Sequence, residues 1–341
     1  GIGRDAHGAL PRRAEFACVA GHVRTPDCQP VAGASVGGHA VMECVILRAP
    51  YHWAVACGRT DGIIITQRNE LPKLSGQSRW RKVQFFRGVL VLVESLSLGF
   101  KALSWSAVQS GAEEEDELTK GQVFWTMALA IIVALAIFIL LPAFAANYLK
   151  TFMADSSIAF VVLDGVIRIA LIVLYIWAIS RSEEIARVFQ YHGAEHKTIH
   201  AYENGDPLGV DEIQAYSPRH PRCGTSFILI VGMVAFVVFL ALHGLPFVWQ
   251  VVSRLALIPV IAGLSYEVLR LGANKKWMSW ANRPGIWLQR ITTKEPTDDM
   301  VEVAVASLLA ALTDDEAADV AERGPIVAAA LAAEREEPSD G

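Results

Sequence analysis

The run Gly121–Tyr148 contains no Asp, Glu, Lys, Arg or His, and it exceeds the about 20 apolar residues that a helix needs to cross a bilayer. A stretch of that kind has few options. Its backbone must satisfy its own hydrogen bonds, so it folds as a helix within lipid or within a large core. Three further stretches share the property. Ile158–Ser180 carries only Asp164 and Arg168, spaced i and i+4, which reads as a mutual ion pair inside a bundle. Gly224–Val248 is free of acids and bases other than His243, and it ends at the turn-like His243-Gly244-Leu245-Pro246. Val251–Leu271 contains Pro259, with Ser265-Tyr266-Glu267 and Arg270 close to its end. The composition agrees: 53% hydrophobic, 19% charged and a mean hydropathy of +0.35. The expected fold class is mainly α, a polytopic membrane protein with about four transmembrane helices and a small N-terminal β-hairpin element. Its partner is then the lipid bilayer.

Lysine and arginine in the connecting segments set the orientation. The segment between the second and third stretches holds Arg181, Arg187, Lys197, Arg219 and Arg222, and the one after the fourth holds Lys275, Lys276, Arg283, Arg290 and Lys294. The other connections are almost free of basic residues. Both termini are therefore expected on the cytoplasmic side of a bacterial inner membrane. A net charge of −5 carries no nucleic-acid footprint, and nothing in the pattern names a protein partner. Five irregularly spaced cysteines (Cys18, Cys28, Cys44, Cys57, Cys223) argue against a disulfide framework and fit a reducing compartment.

The rest of the chain divides around these stretches. Residues 1–35 read as an irregular N-terminal extension, rich in Gly, Pro and Arg and without an apolar core like that of a signal peptide. Residues 36–110 read as a cytoplasmic β element followed by a membrane-associated helix. Within them, Trp53–Cys57 and Ile63–Gln67 flank Gly58-Arg59-Thr60-Asp61-Gly62, a hairpin signal, and the β element is placed over residues 40–68. The helix, residues 83–106, carries Glu94 in mid-run and basic residues on both flanks, a pattern of lying along the membrane rather than crossing it. Residues 111–120 are an acidic linker around Glu113–Glu117. Residues 121–312 form the transmembrane domain, closed by a helix over Asp298–Leu312 that Thr297 can cap. Residues 313–341 read as a loosely helical, acidic, Ala-rich tail.

Chemistry concentrates between the second and third apolar stretches, in Tyr191-His192-Gly193-Ala194-Glu195-His196-Lys197-Thr198-Ile199-His200-Ala201-Tyr202-Glu203. On a helix, His192 and His196 project from one face at the i, i+4 spacing that a divalent metal requires. The order His-x-x-Glu-His is that of the inverted zincins, in which the acid, here Glu195, acts as general base. The competing interpretation is a polar amphipathic helix lying at a membrane surface. Two histidines leave a catalytic zinc one protein ligand short. Glu203 lies about 10 Å along the axis from His196, too far for the same ion, so it reads as a supporting residue or a ligand to a second one. The missing ligand can come from His220 or Cys223, in the turn Ser217–Ser226, or from Glu267, an acid inside an apolar stretch. His220 and Cys223 could equally be a surface histidine and an inert buried thiol, and Glu267 could equally pair with Arg270. Glu94 reads as a structural polar contact.

An ordered series of motifs extends this. Gly37-Gly38-His39-Ala40-Val41-Met42-Glu43, Phe85-Phe86-Arg87-Gly88-Val89, Glu94-Ser95-Leu96, Tyr191–Thr198, Arg222-Cys223-Gly224-Thr225-Ser226, Ser265-Tyr266-Glu267 and Pro284-Gly285-Ile286-Trp287-Leu288-Gln289 together resemble the YqhQ-like bacterial membrane proteins. These are the domain-of-unknown-function 1385 family, described as predicted metal-dependent enzymes. The resemblance spans roughly residues 36–312. It implies an integral membrane protein with a metal site, and its signature falls on His192, Glu195, His196, Glu203, Cys223 and Glu267. Glu43 is kept as a supporting residue. His39, Cys44, Ile46 and Leu47 depart from the pattern, where the family has Gln, Gly and a Met pair, and His200 lies outside the signature.

The resulting expectation is a cytoplasm-facing divalent-metal site, with zinc the expected ion and hydrolysis the reaction class. His192 and His196 would be ligands, completed by His220, Cys223 or Glu267, with Glu195 as the catalytic acid–base group. The alternative is a non-catalytic scaffold, assembly factor or transporter whose polar residues tie helices together.

Overall fold

The computed structural model describes residues 36–59, 61–71, 84–109, 125, 128–129, 132–134, 136–150, 157–242 and 246–336. The N-terminal extension, the acidic linker and much of the first apolar stretch lie outside the described residues. The chain is mainly helical, with one small sheet formed near its start.

Four strands, β1 (Gly37–Val41), β2 (Cys44–Arg48), β3 (His52–Gly58) and β4 (Ile64–Glu70), form an antiparallel meander. The expected β3–β4 hairpin is present, pairing Trp53 with Asn69 and Gly58 with Ile64. A second hairpin precedes it. It turns through Met42-Glu43, with Glu43 in the left-handed region at φ 56° where the sequence offers no glycine. The sequence shows it poorly because β2 and β3 are covered on both faces, so their alternation is apolar on either side. Val45, Leu47, Ala54 and Ala56 enter one core, while Cys44, Ile46, Trp53, Val55 and Cys57 pack with Leu98 and Ala102 in another. The same register makes Cys44 and Cys57 direct cross-strand neighbours, with Cα atoms 4.1 Å apart, and they are joined in a disulfide. This corrects the all-thiol expectation: irregular spacing along the chain says nothing about adjacency across a sheet.

The helices follow in order. They are α1 (Gln84–Gln109), α2 (Leu141–Lys150, after a π-helical turn at Ala136–Leu140), α3 (Ser157–Ile179), α4 (Glu183–Asn204) and α5 (Val210–Gln214). Next come α6 (Ser226–Ala241), α7 (Phe247–Ala256), α8 (Ile258–Asn274), a 3-10 turn at Lys276–Asn282, and α9 (Arg283–Thr292). The chain then forms α10 (Asp298–Ala311), α11 (Asp314–Glu322), α12 (Ala328–Leu331) and β5 (Glu334–Glu336). One described helix, α3, is long and apolar enough to cross a membrane, over Val162–Ile179; Ser226–Ala241 is apolar but shorter. The fourth apolar stretch is broken into α7 and α8 at Leu257, with Pro259 in the first turn of α8, where its missing N–H costs nothing.

Helix α1 lies on one face of the sheet and against α8, where a Cβ at Gly88 would stand 3.0 Å from the Gly263 carbonyl. Glu94 of α1 accepts from Arg48 of β2 at 2.9 Å, the structural contact expected of it. Between α3 and α7, Asp164 receives Arg254 at 2.8 Å and Arg168 at 3.4 Å, all three buried. The expected Asp164–Arg168 pair is thus the weaker half of a three-residue cluster. Arg254 lies within the fourth apolar stretch, Val251–Leu271, and was not singled out in the sequence.

Helix α10 covers the other face of the sheet and packs on α4. It starts at Asp298 as expected, but the Thr297 side chain makes no capping hydrogen bond; its carbonyl accepts from Val301 instead. The stretch expected to be a loose tail is docked. Thr313 and Glu316 form a reciprocal capping box, Val320, Val327 and Ala330 are buried, and β5 adds to β4 in parallel.

Candidate metal centre

Helix α4 opens with Glu183 and Glu184 at its positive end and closes at Gly205, whose φ of 73° lets its N–H return to the carbonyls of Ala201 and Tyr202. Every residue from Tyr191 to Glu203 is buried. The helix is therefore a core element under β1 and α10, and the surface-lying interpretation is excluded. Gly193 lets another segment come close: a Cβ there would collide with the Lys294 carbonyl. That approach brings the end of α9 over His192.

The side chains then converge. One ligand atom each from His192, His196 and Cys223 lies within 4.8 Å of the other two, and all three residues are buried. His192 Nδ1–H donates to the Thr292 carbonyl at 2.8 Å, which fixes the tautomer and leaves a lone pair on Nε2, 3.1 Å from Cys223 Sγ. His196 repeats the arrangement. Its Nδ1–H donates to the Pro218 carbonyl at 2.7 Å, and its Nε2 is buried without a hydrogen-bond partner among the described residues. Two imidazoles held from behind by backbone carbonyls, with free nitrogens turned toward one thiol, are a metal-ready donor set.

The electrostatics follow from burial. Desolvation lowers His196 to about 4, so it is neutral at physiological pH, the form that ligates. Burial alone would raise the Cys223 thiol, but His196 beside it and the Thr225 hydroxyl and N–H offset this and bring it below its usual value. Glu195 is fully buried and pushed up to about 8, chiefly by desolvation. Its Oε2 has no hydrogen-bond partner among the described residues, and its Oε1 lies against β1, 3.1 Å from where a Cβ on Gly38 would stand.

The remaining sequence candidates are placed elsewhere. His220 Nδ1 accepts from the Arg222 N–H at 3.2 Å, so its Nε2 carries the proton and points to Glu203 at 3.4 Å. With one nitrogen occupied by backbone and the other a donor, His220 is turned away from the metal group, although its ring stands 5.7 Å from that of His196. Glu203 is held by Arg222 and His220. Glu267 sits half-buried on α8 and is not a member of the His192–His196–Cys223 group. Glu43 accepts from Arg187 and, at 3.0 Å, from the Tyr191 hydroxyl, tying the first hairpin to α4 one residue before His192. His200 donates Nε2–H to the Arg219 carbonyl at 2.9 Å, outside the group as expected.

Sequence reasoning missed Gln289. Fully buried on α9, it receives the His220 N–H at 2.8 Å and donates to the His220 carbonyl at 2.8 Å and the Ser226 hydroxyl at 3.1 Å. It clamps the turn that delivers both the Pro218 carbonyl and Cys223. Its signal was its place in the Pro284–Gln289 motif. The Thr292 and Pro218 carbonyls leave no trace in a sequence, because every residue has a carbonyl.

A family model described as "Protein of unknown function (DUF1385)" matches residues 83–314. The chain is 36% identical over 291 residues to a protein of Bacillus subtilis (strain 168) described as "Uncharacterized protein YqhQ", an alignment spanning 80% of this chain and 90% of that one. No solved structure matches the chain.

Proposed function

The chain belongs to the DUF1385 family, and on that footing we propose that it is an integral protein of the bacterial cell membrane with a cytoplasm-facing divalent-metal centre of hydrolytic type. The observation that carries the proposal is the paired tautomers of His192 and His196. Both rings present a buried Nε2 lone pair beside Cys223 because both Nδ1 positions are taken by carbonyls.

The donor set fits the ion. Two imidazole nitrogens and a thiolate suit zinc, and three protein ligands with a fourth position left open are the pattern of catalytic sites rather than structural ones. An ion held there supplies Lewis acidity that polarises water and the oxygen of the bond to be cleaved. The chain's own contribution centres on Glu195. Burial keeps its carboxyl protonated at neutral pH, and positive charge brought beside it returns it to the carboxylate, so that Oε2 can accept a proton. Gln289 and the two backbone carbonyls hold the histidines and the turn in place.

The membrane reading is supported by apolar side chains exposed along α3, α6 and α7, including Val166, Leu174, Trp177, Val237 and Trp249, beside a buried charged cluster. The basic connecting segments support a cytoplasmic site. One feature opposes that sidedness, because the Cys44–Cys57 disulfide belongs to an oxidising setting. Membrane-impermeant thiol labelling of intact cells against inverted vesicles, with and without reductant, decides the side of the sheet.

Metal analysis of the purified protein beside a His192→Ala/His196→Ala double variant tests the centre. Near-stoichiometric zinc in the first and its loss in the second are expected; equal, near-zero metal in both sinks the proposal. The scaffold or transporter reading has its own observation, the buried Asp164–Arg254–Arg168 cluster that joins α3 to α7. Glu195→Gln separates the two: a catalytic role loses function with metal retained, whereas a scaffold tolerates the change.

A further inference from the structure

Helix α1 presents two unlike faces. One, with Leu98 and Ala102, is buried under the sheet. The opposite stripe, Leu92, Val93, Leu96 and Phe100, is exposed at the i, i+4, i+8 spacing of a helical face and is wholly apolar. Part of that stripe does not end at a flat surface. Between α1 and β1 lies an open cavity of about 350 Å3 lined by His39, Leu92, Ser95, Leu96, Gly99 and Phe100, at the lower end of the about 300–1,000 Å3 typical of ligand sites. Its walls are almost entirely hydrocarbon.

Its one imidazole, His39, stands beside the turn that carries Cys223. The His39 ring lies 3.5 Å from where a Cβ on Gly224 would stand, and Gly224 follows Cys223 in the chain. The preceding residue, Gly38, abuts the Glu195 carboxylate. One strand thus lines the cavity with His39 and backs the candidate general base with Gly38. At the other end the groove opens beside exposed Leu92, Leu96 and Phe100, so its apolar lining is continuous with exposed apolar side chains of α1. A water-soluble ligand would have no reason to enter by that side.

We propose that this groove seats the hydrocarbon chain of a bilayer lipid, with its polar head turned past His39 toward His192, His196 and Cys223, so that the substrate class of the metal centre is a membrane lipid. The inference rests on the membrane and metal-centre reading above, and it deepens that reading by naming what reaches the site. Gly99 gives it a clean test. A Cβ there meets nothing within 4 Å and Gly99 lines the groove, so a larger side chain starts into it from open space. Replacing a mid-helix glycine also favours the helix.

The full chain is reconstituted in vesicles of phosphatidylethanolamine and phosphatidylglycerol containing a phosphatidylglycerol with a diazirine at its chain end. It is then photolysed and mapped by mass spectrometry. Label concentrated on residues 92–100 is expected, falling about tenfold in Gly99→Trp, the loss that corresponds to about 1.4 kcal/mol of binding. Gly99→Leu should give a smaller fall, and Val93→Trp, on the exposed stripe outside the groove, no change. Equal labelling in Gly99→Trp and Val93→Trp overturns the proposal, as does a protein–protein cross-link from residues 92–100 in place of lipid. Metal content read on the unsubstituted protein fails or survives independently: no groove label with metal bound overturns the lipid groove alone, while groove labelling without metal overturns the metal centre alone.

Discussion

Two regions of the molecule are built on opposite plans. Around the sheet, α4 and α10 bury apolar side chains such as Leu47, Tyr191, Met300 and Leu308 in the manner of a water-soluble protein. Around α3, α6 and α7, large apolar side chains stand outside while Asp164, Arg168 and Arg254 are buried, with both guanidinium groups over the Phe239 ring at 5.6 and 5.3 Å. The contrast is what supports the membrane reading proposed above. Water drives apolar groups inward, whereas hydrocarbon leaves them indifferent and drives charge inward instead. The candidate metal centre sits where the two plans meet, on the buried Tyr191–Glu203 part of α4, which follows one apolar stretch, and on a turn that precedes the next.

Breaking the apolar-outside half gives the largest expected effect. Asp164→Ala strands two buried guanidinium groups and should destabilise the helical half by about 3–5 kcal/mol, seen as loss of detergent-resistant folded protein. The matching cut in the water-type half is Leu308→Ala, fully buried in α10, expected to cost about 2–5 kcal/mol in thermal unfolding. If the two halves are built as described, urea should deepen the second defect more than the first. A defect from Leu308→Ala no larger than that of an exposed substitution would refute the water-type core.

Gln289→Leu probes the seam. It preserves volume but leaves the His220 N–H and carbonyl unpaired, and should weaken zinc binding about 10–100-fold while the sheet still forms. Titration against a competing chelator reads it directly, and unchanged affinity would remove Gln289 from the centre. The smallest effect is expected at Glu43. The Arg187 guanidinium, more than offsetting burial, and the Tyr191 hydroxyl hold its carboxyl below the usual carboxylate range. Its folded-state value being the lower, it contributes stability above the ordinary carboxylate pKa. That contribution is lost as pH falls through the depressed folded value. Glu43→Gln should flatten the acid limb of the stability profile and leave the neutral region little changed. An identical acid limb would show that the pair does nothing for the fold.

Several of these features could be read without coordinates, for identifiable reasons. The His192/His196 pair was legible because a helix fixes the geometry of residues four apart, and Cys223 was legible as one of three candidates for the missing ligand. The β3–β4 hairpin was legible because its turn is written in Gly58 and Gly62. By contrast, β1 and β2 were hidden, because strands covered on both faces lose their alternation and the Met42-Glu43 turn lacks glycine. The Cys44–Cys57 disulfide was hidden because register, not spacing, makes neighbours. The pairing of Arg254 was hidden because nothing local to an apolar stretch names the partner that a cation within it will meet on another helix.

What the sequence determined by itself was periodicity and chemistry within one element: apolar stretches too long for anything but helices, and two histidines on one face of α4. These are local properties, set by backbone geometry and side-chain type. Tertiary structure alone decided which candidate stands with the two histidines, bringing Cys223 to them while the Arg222 N–H occupies one His220 nitrogen and Glu203 faces the other. It also chose the tautomers of His192 and His196, through carbonyls 100 and 22 residues away in the chain. The physical reason is that a lone pair's direction depends on what binds the far side of the ring. That partner is a backbone group which no residue letter encodes.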